Sequence, residues 1–153
     1  MLVRPTGDHI ELFKSLYEEG LQWTVNSDLS SVIDYESVLI DPSRVWRIYV
    51  VDDGVAVGVA GLHRINMIDG SADMFLGVAA DERRKGYCTA MLKELISLAF
   101  KSLNLRRLST MVLENAPSRH VAENVGFKHE ATLSDVRYKD GVYLDALVYT
   151  MFR

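Results

Sequence analysis

Apolar residues at 10, 12, 13, 16 and 17 recur at helical spacing and predict a helix over 8–20. Asp8 is the candidate cap and Gly20 the candidate stop. Residues 23–41 are mixed and predict a loop, then a short helix from Ser30 or Ser31 to Ile40, closed by Pro42. The period then changes to two. Strands are expected over 46–51, 55–63 and 72–79, separated by turns at Asp52-Asp53-Gly54 and Asp69-Gly70, an antiparallel meander. The third strand carries Ala72, Met74, Leu76 and Val78 on one face.

A charged loop over 81–86 leads into a helix whose Met91, Leu95, Leu98 and Ala99 would face a core. A strand over 107–113 follows, then a short helix over about 117–124 stopped by Gly126. Segments 132–138 and 142–152 flank Asp140-Gly141 as a closing hairpin. The order, with a short strand at the start, predicts an α/β layered fold around one mixed sheet. No repeat, low-complexity tract or linker interrupts it, so one domain is expected across residues 1–153.

Composition narrows the class. Of 153 residues, 48% are hydrophobic and 25% charged, the balance of a soluble globular protein. The longest strongly apolar stretch, 55–62, is too short to span a bilayer, and no membrane partner is expected. The start, Met1-Leu2-Val3-Arg4-Pro5, lacks the pattern of a signal peptide. One cysteine, Cys88, excludes an internal disulfide and fits a reducing, cytoplasmic setting. A formal net charge of −4 with no dominant basic run argues against nucleic acid as partner. The four histidines are dispersed, without ligand spacing, so no metal is expected.

The strand, basic glycine-containing turn and helix over 72–100 carry the chemistry. A helix start offers backbone N–H groups without partners, together with the positive end of the helix dipole, and both suit a phosphate. Gly86 would allow close backbone approach, and Arg83, Arg84 and Lys85 add charge. The Gly-Lys-Ser/Thr ending of a P-loop and the three-glycine dinucleotide fingerprint are both missing, which disfavours a nucleotide-binding module.

Arg83-Arg84-Lys85-Gly86-Tyr87-Cys88 resembles the coenzyme A motif Gln/Arg-x-x-Gly-x-Gly/Ala of the GNAT superfamily of N-acetyltransferases. Asn115-Ala116-Pro117-Ser118, with Gly126-Phe127 beyond it, resembles the Asn-x-x-Ser helix and Gly-Phe turn of one branch of that superfamily. Glu130, Tyr143, Asp145 and Tyr149 sit as in the closing hairpin of the same branch. That branch holds the ribosomal-protein alpha-amino, spermidine and phosphinothricin acetyltransferases. The resemblance covers about 55–152 and implies a three-layer fold, a mixed, mostly antiparallel sheet of about seven strands flanked by about four helices.

The resemblance further implies acetyl-coenzyme A as co-substrate and a primary amine as acceptor: a protein N-terminus, a polyamine or another small amine. A homodimer is left open. The cofactor would lie against Gly77, Val78, Ala79, Arg83, Arg84, Lys85, Gly86, Tyr87, Cys88, Thr89, Asn115 and Ser118. Backbone N–H groups near Gly77 and Val78 would stabilise the charge developing on the thioester oxygen. Gly77 reads equally as a bulge, a close ligand approach or a gap left for a packed neighbour.

Two departures stand out. Cys88 replaces the motif's last glycine or alanine, and its bland reading is a structural thiol rather than a nucleophile. Ala122 stands where many relatives place a tyrosine acid, leaving Ser118 to protonate the departing thiolate.

An amine attacks only when neutral, so a base is needed unless solvent takes the proton. Asp73 is the carboxylate best placed for this; its bland reading is a surface charge beside the 69–70 turn. His63 could titrate near neutrality, and Glu130 reads as structural. Trp23, Asp28, Tyr35 and Trp46 lie in the part that covers the acceptor in relatives, or are ordinary core aromatics and loop residues. The competing function is a non-catalytic acyl-coenzyme A sensor with the same fold.

Overall fold

The computed structural model describes residues 1–21, 34–114, 116–139 and 141–153. Among them lie seven strands: β1 (Leu2–Val3), β2 (Val45–Val50), β3 (Ala56–Asn66), β4 (Ser71–Val78), β5 (Arg107–Leu113), β6 (Lys128–Lys139) and β7 (Val142–Phe152). Four α-helices accompany them among the described residues: α1 (Ile10–Leu21), α2 (Tyr35–Ile40), α3 (Tyr87–Ser97) and α4 (Ser118–Val125). The strands form one sheet in the order β1-β2-β3-β4-β5-β7-β6, in which only β4 and β5 run parallel. No helix among the described residues is long and apolar enough to cross a membrane.

The local signals held to within a few residues, with identifiable exceptions. Thr6, not Asp8, opens the first helical segment: its N–H donates to Nδ1 of His9 across a 3-10 turn, Gly7–His9, that contains Asp8. Gly20 lies inside α1, which reaches Leu21. α2 begins at Tyr35, capped by the Asp34 carboxylate, which accepts from the Glu36 and Ser37 N–H groups. The predicted start at Ser30 or Ser31 lies outside the described residues.

Side chains alternate across the sheet and build two cores. On one face Leu62, Ala72 and Met74 pack against Met91, Leu95 and Ala99 of α3 and its extension, with Leu98 partly buried beside them. Gly58 admits this close contact, since an added Cβ would sit 2.9 Å from the Met91 sulfur. On the other face Trp46, Ile48 and Val59 pack against Phe13 and Leu16 of α1. Trp46 stacks edge-on against Phe13, Tyr17 and Phe75, and its indole N–H donates to the Val38 carbonyl at 3.1 Å. Gly61 lies directly beneath that ring, which leaves no room there for a Cβ.

One feature of this sheet positions the site. β4 and β5 share three residue pairs, Ser71–Arg107, Ala72–Leu108 and Asp73–Ser109, and no more. Beyond them β5 continues along β7 as far as Leu113, while β4 continues along β3 as far as Val78. The two halves of the sheet therefore part in its middle.

Candidate active site

The parting of β4 and β5 opens a cleft of about 1210 Å³. Its lining includes Asp73, Gly77, Val78, Arg83, Arg84, Gly86, Tyr87, Cys88, Thr89 and Ser118, so most residues singled out in the sequence converge on one space. Ala79 and Lys85 do not belong to it. The Ala79 N–H donates to Val57 at 2.9 Å and its carbonyl accepts from Glu82 at 2.9 Å, so both its backbone groups are spent. The Lys85 ammonium pairs with Glu82 at 2.9 Å. Asn115 lies outside the described residues, as do Trp23 and Asp28.

At one mouth stands the start of α3. Gly86 precedes it in the left-handed region, φ +85°, where a glycine carries no steric penalty. It has no side chain to cap the helix, whose first backbone bond runs from Ala90 to the Gly86 carbonyl at 3.2 Å. The N–H groups of Tyr87, Cys88 and Thr89 are consequently left without helical partners, at the positive end of the helix dipole. Arg84, exposed and itself at φ 65°, makes no ion pair with a described residue. Arg83 behaves differently. Its guanidinium grips both oxygens of Glu19 on α1, at 2.5 and 2.6 Å, and donates to the Val78 carbonyl at 3.1 Å. The first residue of the motif thus ties α1 to the loop instead of offering a free charge.

Along the cleft wall, ladder parity decides which amides are free. Ala79 donates to Val57, so its neighbours two and four residues back, Gly77 and Phe75, also turn their backbone groups toward β3. Leu76 and Val78 turn theirs toward the gap. Of the two residues named from the sequence, Val78 turns its N–H toward the gap and Gly77 does not, while Leu76, which carries no motif, shares the gap side. Gly77 itself forms no bulge; a Cβ there would meet Cβ of Leu16 at 3.2 Å, so the glycine makes room for α1.

Cys88 is half-buried, and burial raises the pKa of its thiol, the opposite of what a thiolate nucleophile requires. Ser118 opens α4 exposed to the cleft, and its hydroxyl has no partner among the described residues. Ala122 is buried behind it. Tyr149 is buried too, donating to Glu123 on α4 at 2.6 Å, and stays out of the cleft.

On the face of the sheet that carries α1, a polar row crosses three strands. His63, Asp73 and Ser109 are paired register neighbours on β3, β4 and β5. The Ser109 hydroxyl donates to one oxygen of Asp73, and Arg64 pairs with the other. With its side chain only 20% exposed, Asp73 is not the surface charge its place beside a turn suggested. Burial pushes the His63 imidazole below its ordinary value, while Asp73 and the Met74 backbone pull it partway back. Glu130 pairs with Arg107 at 2.9 Å, in line with a structural role. Trp46 and Tyr35 lie in the aromatic core rather than in the cleft; the Tyr35 hydroxyl donates to Glu18 at 2.7 Å, and its pKa is pushed up to about 12.

The same fold recurs in known proteins. The crystal structure of spermidine N-acetyltransferase from Vibrio cholerae in complex with CoA and spermine superposes with a TM-score of 0.85 at 20% identity, covering 99% of this chain and 94% of that one. In sequence, the Bacillus subtilis (strain 168) protein YdaF, named as a ribosomal N-acetyltransferase, is 30% identical over 102 residues, 66% of this chain and 56% of its own. The spermidine N(1)-acetyltransferase of Escherichia coli (strain K12) is 28% identical over 121 residues, 78% of this chain and 64% of its own. The chain thus spans less than two thirds of the length of these curated relatives. The model of the acetyltransferase (GNAT) domain matches residues 7–128, a span that includes the parting strands and the basic turn before α3, and the chain belongs to that family.

Proposed function

We propose that this chain transfers the acetyl group of acetyl-coenzyme A to a primary amine by direct attack in a ternary complex. The observation that carries the reading is the cleft through the sheet. One mouth offers the bare start of α3, the middle offers unpaired strand amides, and the far mouth offers a polar row with a neutral-leaning imidazole. A pyrophosphate suits the N–H groups of Tyr87, Cys88 and Thr89, with Gly86 permitting close approach and Arg84 adding charge at the rim. The site fits such an anion because no side chain caps the helix there.

Acetyl-coenzyme A, when bound, would supply the thioester whose carbonyl the amine attacks, with coenzyme A leaving as the thiolate. The Leu76 and Val78 N–H groups hold the oxygen on which charge develops. His63 accepts the proton of the acceptor ammonium, directly or through water, and the charge of Asp73, itself held by Ser109 and Arg64, favours the imidazolium that forms. Ser118 donates a hydrogen bond to the departing sulfur. The unpaired Cys88 accords with a reducing compartment, the cytoplasm.

Acetyl-coenzyme A is expected to raise the melting temperature, while NAD and ATP leave it unchanged, because a ligand bound only by the folded state stabilises it. Equal response to all three would remove the cofactor assignment, and thiol release with added amines distinguishes turnover from mere binding. Ser118→Ala is expected to lower kcat by about tenfold while coenzyme A affinity changes less, as for a contact made in the transition state. Steady-state kinetics beside calorimetry separates the two; a change confined to affinity would make Ser118 a binding residue.

A further inference from the structure

We propose that the acceptor amine carries a carboxylate of its own, as an amino acid does, and that Arg137 binds it. The inference rests on the acetyl-transfer reading and adds to it the chemical class of the acceptor.

The charges that line the cleft favour an anionic group on the acceptor. Its three carboxylates are each already paired with a cation: Glu19 with Arg83, Asp73 with Arg64 and Glu82 with Lys85. A polyamine brings several ammonium groups and needs free carboxylates to receive them, and among the described residues the cleft has none. It has guanidinium groups instead. Arg107 is engaged by Glu130. Arg137 is not engaged by any carboxylate of a described residue; its recorded bonds are to the Val136 carbonyl at 3.2 Å and the Met111 sulfur at 3.3 Å, both weak partners for a guanidinium.

The backbone aims this side chain deliberately. Between Leu133 and Arg137 strand β6 takes four steps while β7 takes two, from Ala146 to Leu144. The two extra residues form a bulge, with Asp135 at φ 54° and its N–H held by the Asp145 carboxylate at 2.9 Å. Bulges re-aim side chains next to sites. Here the bulge returns Arg137 to the sheet face of Ser109 and Thr150, where it reaches over β7 to Met111 on β5, at the edge of the gap. This is the face that carries His63 and Asp73. Half-buried, with unused N–H groups in a planar fork, Arg137 matches a carboxylate through two parallel bonds. An amine whose carboxylate is held there stands on the same face as the imidazole proposed to deprotonate it.

The test compares α-amino acids with their amides and with spermidine, on protein saturated with coenzyme A for binding and with acetyl-coenzyme A for thiol release. Amino acids are expected to exceed their amides by at least about tenfold in kcat/KM, mostly through KM, and spermidine to lag behind both. In Arg137→Gln the acid-to-amide ratio should collapse to about one, with Arg137→Lys intermediate because it keeps the charge and loses the fork. An unchanged melting temperature establishes that the variants fold. Spermidine or an amidated peptide outperforming the amino acids, or a ratio that survives Arg137→Gln, would overturn the proposal. Calorimetric binding reads the acid-to-amide preference without turnover. A chain that releases no thiol with any amine but binds amino acids through Arg137 would refute acetyl transfer alone; thiol release without that preference would refute the carboxylate alone.

Discussion

Calorimetric titration of coenzyme A into Gly86→Val is expected to show binding weakened by at least about 100-fold at any salt concentration, in a protein that still folds. The reason lies in the backbone. An added Cβ at Gly86 meets nothing within 4 Å, so the substitution causes no clash in the free protein. The cost is conformational: at φ +85° a β-branched residue loses roughly 1–2 kcal/mol, and the loop relieves it by leaving the left-handed region. That turns the chain away from the geometry that leaves the first three N–H groups of α3 facing outward. The helix itself, anchored by Met91 and Leu95, stays in place. Gly86→Asn separates the two contributions, since asparagine tolerates the left-handed region. If Gly86→Asn binds well, conformation dominates; if it fails like valine, close approach does. Arg84→Ala should weaken binding less, and the deficit should fade as ionic strength rises, because this exposed charge is screened. Normal binding by a folded Gly86→Val protein would mean that this turn is not the phosphate site.

His63→Gln is expected to lower kcat/KM by about 100-fold and to abolish the acid limb of its pH profile. Burial lowers the imidazole pKa in the folded protein, so the base form already prevails at neutral pH. Activity should fall as pH drops through a value below the ordinary 6.5, while the limb belonging to the acceptor ammonium stays where it is. Stability carries the same sign. The unfolded chain binds the proton more readily, so the contribution of His63 is complete above the unfolded pKa and declines as pH falls beneath it. In the variant that share of acid destabilisation should vanish from thermal melts taken across pH 5 to 7, the range around an unperturbed histidine. An acid limb that persists in His63→Gln would assign it to another group or to solvent.

Much of this architecture is legible in local patterns. Met91 and Leu95 announce the buried stripe of α3, and Gly126 marks the end of α4 with a left-handed turn, φ 107°. The basic turn and Ser118 carry recognisable motifs, and Arg83, Arg84, Gly86 and Ser118 share a cleft. What local reading misses depends on pairing. β6 starts at Lys128, earlier than the alternation suggested, because it is an edge strand whose polar residues obscure the period. Leu76 rather than Gly77 faces the gap because ladder parity is set by β3, some fifteen residues upstream. Asp73 looks like a surface charge until β5 delivers Ser109 beside it from far along the chain. Arg137 carries no motif at all; its place follows from a bulge whose register only β7 reveals.

The parting of β4 and β5 also bears on solubility. On the side away from β3, Met74 to Val78 form a strand edge without a neighbouring strand, the kind of surface on which a strand from a second molecule adds and seeds aggregation. Most proteins blunt such edges with lysine, proline or charge pointing inward. This edge instead lies inside the molecule, walled by Leu16 of α1 on one side and by Leu92 and Val121 of the helices on the other. A slender, flexible ligand arm suits such a slot better than another polypeptide, which carries side chains on both faces. The hydrogen-bonding capacity of an open sheet is thereby kept for a small molecule without being offered to the protein's own copies.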